Sequence, residues 1–280
     1  MTDAGGARGR GWWTPRGRAG AALLLFFVIL ALAGPSLLPD PFRQFGLLDE
    51  ARQPPSAEHP FGTDDLSRDV LSRVVSGARV SLAVAALAVT LSVTLGAGVG
   101  LVAGYWGGAV DALLMRFVDG ALAVPRLFLL LLVLAVPRHV PLTALILLIG
   151  TTGWFTTSRL VRAEVLRLRE EAFVRAAEAL GASRRRIMFR HLLVNTAGPL
   201  LVAATLGVGD VILLEAGLSF LGLGVQPPTP SWGGMILDAR PLLEVAPWVG
   251  IFPGIAITLT VLATNLVGDA LRDALDPRGA

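Results

Sequence analysis

Six apolar stretches, each about 20 residues long or longer, constrain the fold of this 280-residue chain more than any other feature. A helix needs roughly 20 mainly apolar residues to cross the hydrocarbon core of a bilayer. Only 16% of the residues are charged, whereas a soluble domain has about 25%. The sequence therefore predicts an all-α integral membrane protein with six transmembrane helices. The predicted spans cover residues 19–38, 80–104, 112–136, 142–160, 192–224 and 248–267.

The basic side chains predict which ends of these spans face the cytoplasm. Between residues 158 and 190 there are nine arginines against four glutamates, a local net charge of +5, whereas the whole chain carries +3. Short loops rich in Arg stay on the cytoplasmic side of a membrane. We therefore expect the loop 159–195 and both chain termini to be cytoplasmic, with the segments 39–79 and 225–246 outside.

The composition excludes several chemistries. The chain has no cysteine, which rules out disulfides, thiolate metal sites and thiol catalysis. It has no lysine either, and because a phosphate-binding P-loop requires one, the chain is not itself an ATPase of that type. Its three histidines, His59, His139 and His191, are scattered over regions of different polarity, which argues against a histidine metal site. The positive charge is clustered in loops, unlike the footprint of a protein that binds nucleic acid.

The external segment contains a helical pattern of its own. Leu66, Val70 and Val74 recur every four residues, so one face is apolar. Thr63 or Asp64 is placed to cap the first turn. The pattern predicts a short amphipathic helix that lies on the membrane surface or packs over the spans.

The basic loop 159–195 has the pattern of two helices with a break between them. Apolar positions recur at helical spacing over residues 164–180. Gly181 follows, where the C-terminus of a helix favours a residue with positive φ. Ser183 is placed to cap a second helix that starts at Arg184. This helix–break–helix unit has a shape suited to a cleft in a partner protein.

This loop resembles the EAA loop of the permease subunits of ATP-binding-cassette (ABC) importers. That motif reads Glu-Ala-Ala, three residues, Gly, nine residues, then Ile-x-Leu-Pro. In this sequence the motif is matched by Ala176, Ala177, Gly181 and Leu193, and it is replaced by Arg175, His191 and Val194 at the Glu, Ile and Pro positions. The segments HPFGTDDLSRDVLSRVVSGARVSL, GLSFLGLGVQPPTPSWGGM and NLVGDALRDALDP are similar to the dipeptide, oligopeptide and nickel branch, in the subunit with the shorter external loop.

The resemblance implies the transmembrane domain of a type-1 ABC importer in a bacterial plasma membrane. The chain would form half of the pathway for short peptides, beside a second homologous permease subunit. Two cytoplasmic ABC ATPase subunits would hold ATP and Mg, so no cofactor is expected on this chain, and an extracytoplasmic solute-binding protein would deliver the cargo. The implied parts are a basic tail (1–18), a first span with its external loop (19–76), the type-1 domain (77–269) and a C-terminal tail (270–280).

Two groups of residues are candidates for function. The resemblance assigns ATPase coupling to Glu171, Arg175, Ala176, Ala177, Leu180, Gly181, Ala182 and Ser183. Within the spans Arg126 is the most unusual residue, because an ionisable group there costs a few kcal/mol unless it is paired or wetted. It either pairs with Asp119, Asp210 or Glu215, or faces the pathway and attracts a substrate carboxylate. We predict that Asp119 and Arg126 belong to the translocation pathway.

The sequence is also compatible with other functions. The same family branch carries nickel or other small solutes, so the cargo is not fixed by the resemblance. Four charged residues in the spans would also suit an ion-coupled secondary transporter that works alone: Asp119, Arg126, Asp210 and Glu215. A membrane enzyme would need a nucleophile and a base, and no such set stands out in the sequence. Trp232 is expected at a membrane–water interface, without a special role.

Overall fold

Long apolar helices build the protein, and their bounds follow the hydropathy pattern only in part. The computed structural model describes residues 14–46, 50–137 and 139–275. Within these ranges, five helices are long and apolar enough to cross a membrane: α1 (Pro15–Leu37), α2 (Val70–Trp106), α5 (Leu142–Arg169), α9 (Ala197–Phe220) and α11 (Trp248–Leu275). Shorter elements connect them: α3 (Gly108–Leu122), α4 (Arg126–Leu134), α6 (Ala172–Ala179), α7 (Arg184–Arg186), a π-helical turn (Ile187–Leu192), α8 (Leu193–Asn195), α10 (Trp232–Ala239) and a 3₁₀ turn (Arg240–Leu242).

These helices confirm the all-α prediction and alter several predicted boundaries. The helix α1 already includes the last residues of the predicted N-terminal tail, and α11 extends eight residues beyond the predicted end of the sixth span. The fifth predicted span starts too early, because α9 begins only at Ala197. Residues 1–13 of the predicted N-terminal tail (1–18), residues 276–280 of the predicted C-terminal tail (270–280) and one residue of the turn 137–141 lie outside the described residues.

The third predicted span, 112–136, is wrong as a continuous helix. The chain forms α3 and α4 instead, and their axes are bent by 76° at a short break. Pro125 accounts for this break, because proline lacks a backbone donor and disfavours helical backbone at the residue before it. The six predicted spans are thus five continuous helices and one bent pair.

The predicted surface helix is also wrong, since its second half is the beginning of α2. The N-cap of α2 is Asp69, whose carboxylate accepts a hydrogen bond from the backbone N–H of Ser72 at 2.7 Å. Val70 and Val74 are buried, and the helix continues into the second span without a break. The apolar face read from the sequence is real, but it packs inside the protein, while Leu66 precedes the helix and is exposed.

A buried carboxylate organises the external segment. Asp64, predicted as a helix cap, is 2% exposed and accepts hydrogen bonds from the backbone N–H groups of Leu66 and Arg68, each at 2.9 Å. The same carboxylate pairs with the side chains of Arg68 at 2.7 Å and Arg73 at 3.3 Å. Arg73 also contacts Asp238 of α10 at 3.0 Å. The external segment, α2 and α10 are therefore joined by one network of charges.

Trp232 belongs to the protein core and not to a membrane interface as predicted. Its side chain is 0% exposed. Its indole N–H donates to the backbone carbonyl of Val74 at 2.9 Å, and its backbone N–H donates to the Ser81 hydroxyl at 3.2 Å. The edge-to-face contact with Phe27 of α1 adds a third helix to the contacts of Trp232. Its burial follows from the way α10 folds back over α2, which local sequence does not reveal.

Glu215 is buried next to the segment that contains Trp232. One oxygen of its carboxyl group accepts hydrogen bonds from Ser219 at 2.7 Å and Ser231 at 3.0 Å. Ser231 also caps α10 by accepting from the backbone N–H of Gly234. Glu215 thus holds α9 and α10 together, and at 1% exposure it faces no open pathway.

The most extensive helix packing among the described elements joins α2 to α5. The face of α2 that contacts α5 has a glycine at every fourth residue, at Gly96, Gly100 and Gly104. A Cβ atom added at Gly100 would lie 2.4 Å from the backbone oxygen of Ser158, and one at Gly104 would lie 2.8 Å from Cβ of Val165. Small residues allow helices to approach this closely in lipid. Because the obstructing atoms include backbone, a larger residue could be accommodated only by separating the helices.

We expect Gly100→Ala to destabilise the protein and Gly98→Ala to leave it unchanged or slightly more stable. Overpacking of this kind costs about 1–3 kcal/mol, whereas a Cβ added at Gly98 meets nothing within 4 Å. Both substitutions change the same helix by one methyl group, so their difference isolates the packing. Thermal unfolding in detergent, followed by tryptophan fluorescence, measures the effect, and equal midpoints for the two variants would contradict the prediction.

Candidate coupling loop and membrane cavity

The candidate coupling loop, residues 159–195, contains a turn that the residue pattern did not reveal. A single helix was expected over 164–180, but α5 ends at Arg169 and α6 starts at Ala172. The turn places Val174 at 0% exposure against Leu168 and the π-helical turn. Burial of this apolar side chain favours the break, since a straight extension of α5 would carry α6 away from the protein.

The second break in the loop lies where it was predicted. Gly181 has φ +78°, in the left-handed region that favours glycine. The Ser183 hydroxyl accepts a hydrogen bond from the backbone N–H of Arg186 at 3.4 Å and caps α7. The helix beyond it contains an unpredicted π-helical turn that buries Ile187 and Met188. Nothing in the residue pattern of this stretch signals a π-helical turn.

The predicted coupling residues all lie on α6 and in the segments that flank it. They comprise six exposed residues, Glu171, Arg175, Ala176, Leu180, Gly181 and Ser183, and two half-buried ones, Ala177 and Ala182. Leu180 has 88% of its surface exposed. Arg175, which replaces the glutamate of the EAA motif, forms an exposed ion pair with Glu170. The loop therefore presents an apolar tip at Leu180 with charged side chains beside it.

Ion pairs fasten α5 to α3 near the coupling loop. The Arg162 guanidinium contacts both carboxylate oxygens of Asp111, and Arg159 pairs with Asp119. Asp119 therefore has a partner already, and the hypothesis that it pairs with Arg126 is wrong. The bend between α3 and α4 is the reason, because it removes Arg126 from the helical face that carries Asp119.

Arg126 lies at the first position of α4 and reaches across to α5. Its Nε donates to the hydroxyl of Thr152 at 3.2 Å, and its Nη2 donates to the backbone carbonyl of Ile149 at 2.5 Å. A Cβ atom at Gly153 would lie 2.9 Å from this Nη2, so the glycine leaves room for the guanidinium. In the described ranges Arg126 forms no ion pair, and the hypothesis that it pairs with Glu215 is wrong as well.

The Arg126 side chain borders a cavity of about 320 Å³ between α2, α4, α5 and α9. The polar groups of its lining are Ser92, Arg126, Thr156, Thr157 and Asp210. Asp119 is not among the lining residues. Of the two residues predicted at the pathway, the structure places Arg126 at the cavity. Asp210, which the sequence offered as a partner of Arg126 or as a group of an ion-coupled transporter, lines the same cavity.

Comparison with known proteins agrees with this architecture. Residues 96–279 match the family model described as the binding-protein-dependent transport system inner membrane component. The chain is 44% identical to the dipeptide transport system permease protein DppC of Alkalihalophilus pseudofirmus, over 92% of this chain and 84% of that protein. It is 39% identical to the oligopeptide transport system permease protein OppC of Bacillus subtilis, again over 92% and 84%.

A third relative is named for a different cargo. The glutathione transport system permease protein GsiD of Escherichia coli is 40% identical, over 92% of this chain and 85% of that protein. The matches cover nearly the whole chain, including the bent pair, the coupling loop and the segment around Trp232. The chain belongs to the family of binding-protein-dependent transport system inner membrane components.

Proposed function

We propose that this chain forms half of the translocation pathway of an ATP-driven importer for short peptides. Its family makes it a membrane-spanning transport subunit, and the relatives that transport dipeptides and oligopeptides support a peptide cargo. The chain has no lysine for a P-loop, so the energy of ATP must enter through other subunits. The observation that carries the proposal is the exposed coupling loop, whose apolar tip has no partner within the described chain.

The remaining subunits follow from this assignment. A second homologous permease would complete the pathway, and two cytoplasmic ABC ATPase subunits would bind ATP and Mg and receive the coupling loops. An extracytoplasmic solute-binding protein would deliver the peptide. The loop 159–195 and both termini would then lie in the cytoplasm of a bacterium, in agreement with the arginine distribution.

The packing explains how the loop would transmit force. Val174 of α6 and Ile187 of the π-helical turn are buried in one apolar cluster with Leu168 of α5 and Leu101 of α2. Close-packed interiors are hard to compress. A movement imposed on α6 would therefore reach α2 and α5 together, and not be absorbed within the loop.

The exposed tip gives the first test. Leu180→Asp should reduce co-purification of the ATPase subunits with this chain about 10-fold or more, because a charge replaces an apolar contact at the centre of the interface. The matched control is Leu243→Asp, at the segment between α10 and α11, where the leucine is also exposed, at 60%. Normal recovery of ATPase subunits with the Leu180 variant would contradict the proposed coupling surface.

The break at Gly181 gives a second test. Gly181→Ala should lower ATP-dependent uptake and speed hydrogen exchange of the amides in 182–187 on the order of 10-fold, since left-handed backbone costs a residue with a Cβ roughly 1–2 kcal/mol. The added methyl meets no atom within 4 Å, so the effect isolates backbone conformation. Gly181→Asn should be milder, because asparagine tolerates this conformation. Wild-type exchange in the alanine variant would show that the break has no such role.

A further inference from the structure

A cation and an anion line the same polar cavity within the spans without forming an ion pair. Arg126 extends from α4, and Asp210 lies on α9. The structure gives no ion pair between them, although both line the same space of about 320 Å³. Charged groups in a membrane span face the interior or a water-filled cavity and generally pair with another group. We therefore look for the charged partners of Arg126 and Asp210 in a molecule that enters the cavity.

Arg126 has free hydrogen-bond donors. A guanidinium carries five N–H groups, and those of Arg126 that have partners reach Thr152 and Ile149. No other acceptor for this side chain is found in the parts of the chain that the structure describes. Free donors in a planar fork match the two oxygens of a carboxylate. Thr152 and Ile149 fix the orientation of the fork, which lowers the entropic cost of binding.

Asp210 is the complementary group. It lies in the middle of α9, its surface is exposed, and no hydrogen bond or ion pair to it occurs within 14–46, 50–137 and 139–275. A carboxylate in the middle of a membrane span would be energetically costly if it faced lipid. It is therefore available to accept hydrogen bonds from an ammonium group in the cavity.

We propose that this cavity is a zwitterion site, in which Arg126 holds the carboxylate and Asp210 the ammonium group of a short peptide in transit. The inference rests on the proposed function and specifies its substrate as peptides with both termini free. The two charges of a dipeptide are at most about 7 Å apart. The cavity lies at the small end of ligand pockets, which hold about 300–1,000 Å³.

The rest of the lining fits a site that ignores side-chain identity. Ser92, Thr156 and Thr157 offer hydroxyl groups to a peptide bond, and Val89 and Leu206 provide an apolar wall. The charged termini are the feature that all short peptides share. A site that holds the termini can pass many sequences, which leaves selection among them to the delivering protein.

The test uses the complete complex with its binding protein in proteoliposomes. The probes are alanyl-photoleucine, a dipeptide that can be cross-linked by light, and the same dipeptide with a C-terminal amide. We expect Arg126→Gln to lower uptake of the free acid about 10-fold, because the variant loses a hydrogen bond between charged groups. Uptake of the amide should fall much less. Arg126→Lys should restore part of the uptake, and Arg116→Gln, an exposed arginine of α3 outside the cavity, should match the wild type.

Cross-linking during turnover locates the peptide even where the amide is delivered slowly. Illumination should label segments that contain Ser92, Thr156 or Asp210 in the wild type, and Arg126→Gln should lose this label. Equal loss of both probes, or labels elsewhere in the spans, overturns the site while leaving the importer intact. Absence of dipeptide uptake by the wild-type complex overturns the proposed function and this inference with it.

Discussion

The close approach of α2 and α5 is the constraint on which the rest of the structure depends. Glycines at every fourth residue of α2 bring its backbone against that of α5. In lipid, where apolar surface gains little by burial between helices, such contact supplies much of the association energy. Both candidate functional regions are attached to this pair, because the candidate coupling loop continues from α5 and the cavity is lined by residues from the middle of α2 and α5.

At the opposite end of the protein, polar interactions take over this role. Trp232 and Glu215 fasten α10 to α2 and α9 through hydrogen bonds inside the core. The charges of Asp64, Arg73 and Asp238 continue the connection to the external segment. Asp64 and Arg73 are both buried and pair with each other, which is the condition under which burial of a charge is tolerated. The α2–α5 contact thus depends on close packing of small residues, whereas the contacts of α10 with α2 and α9 depend on hydrogen bonds and charge.

The sequence predicted what depends on local pattern and missed what depends on distant contacts. Hydropathy located the spans, and the special backbone of Gly181 and the cap at Ser183 were visible because glycine and serine act within one turn. Pro125 was a visible signal for the bend, but its angle depends on packing that no local pattern contains. The partners of Arg126 and Asp119, and the burial of Trp232, follow from helix placement alone.

The bend between α3 and α4 gives α5 a role beyond packing. At about 1.5 Å per residue, its 28 residues span about 42 Å. It holds one arm of the bend through Asp111 and Asp119, and the other arm through Arg126. The helix α5 therefore braces the bend from both sides. The angle between α3 and α4 cannot open while both sets of bonds persist. A tilt of this single rod would alter the lining of the cavity and the position of the coupling loop in one step.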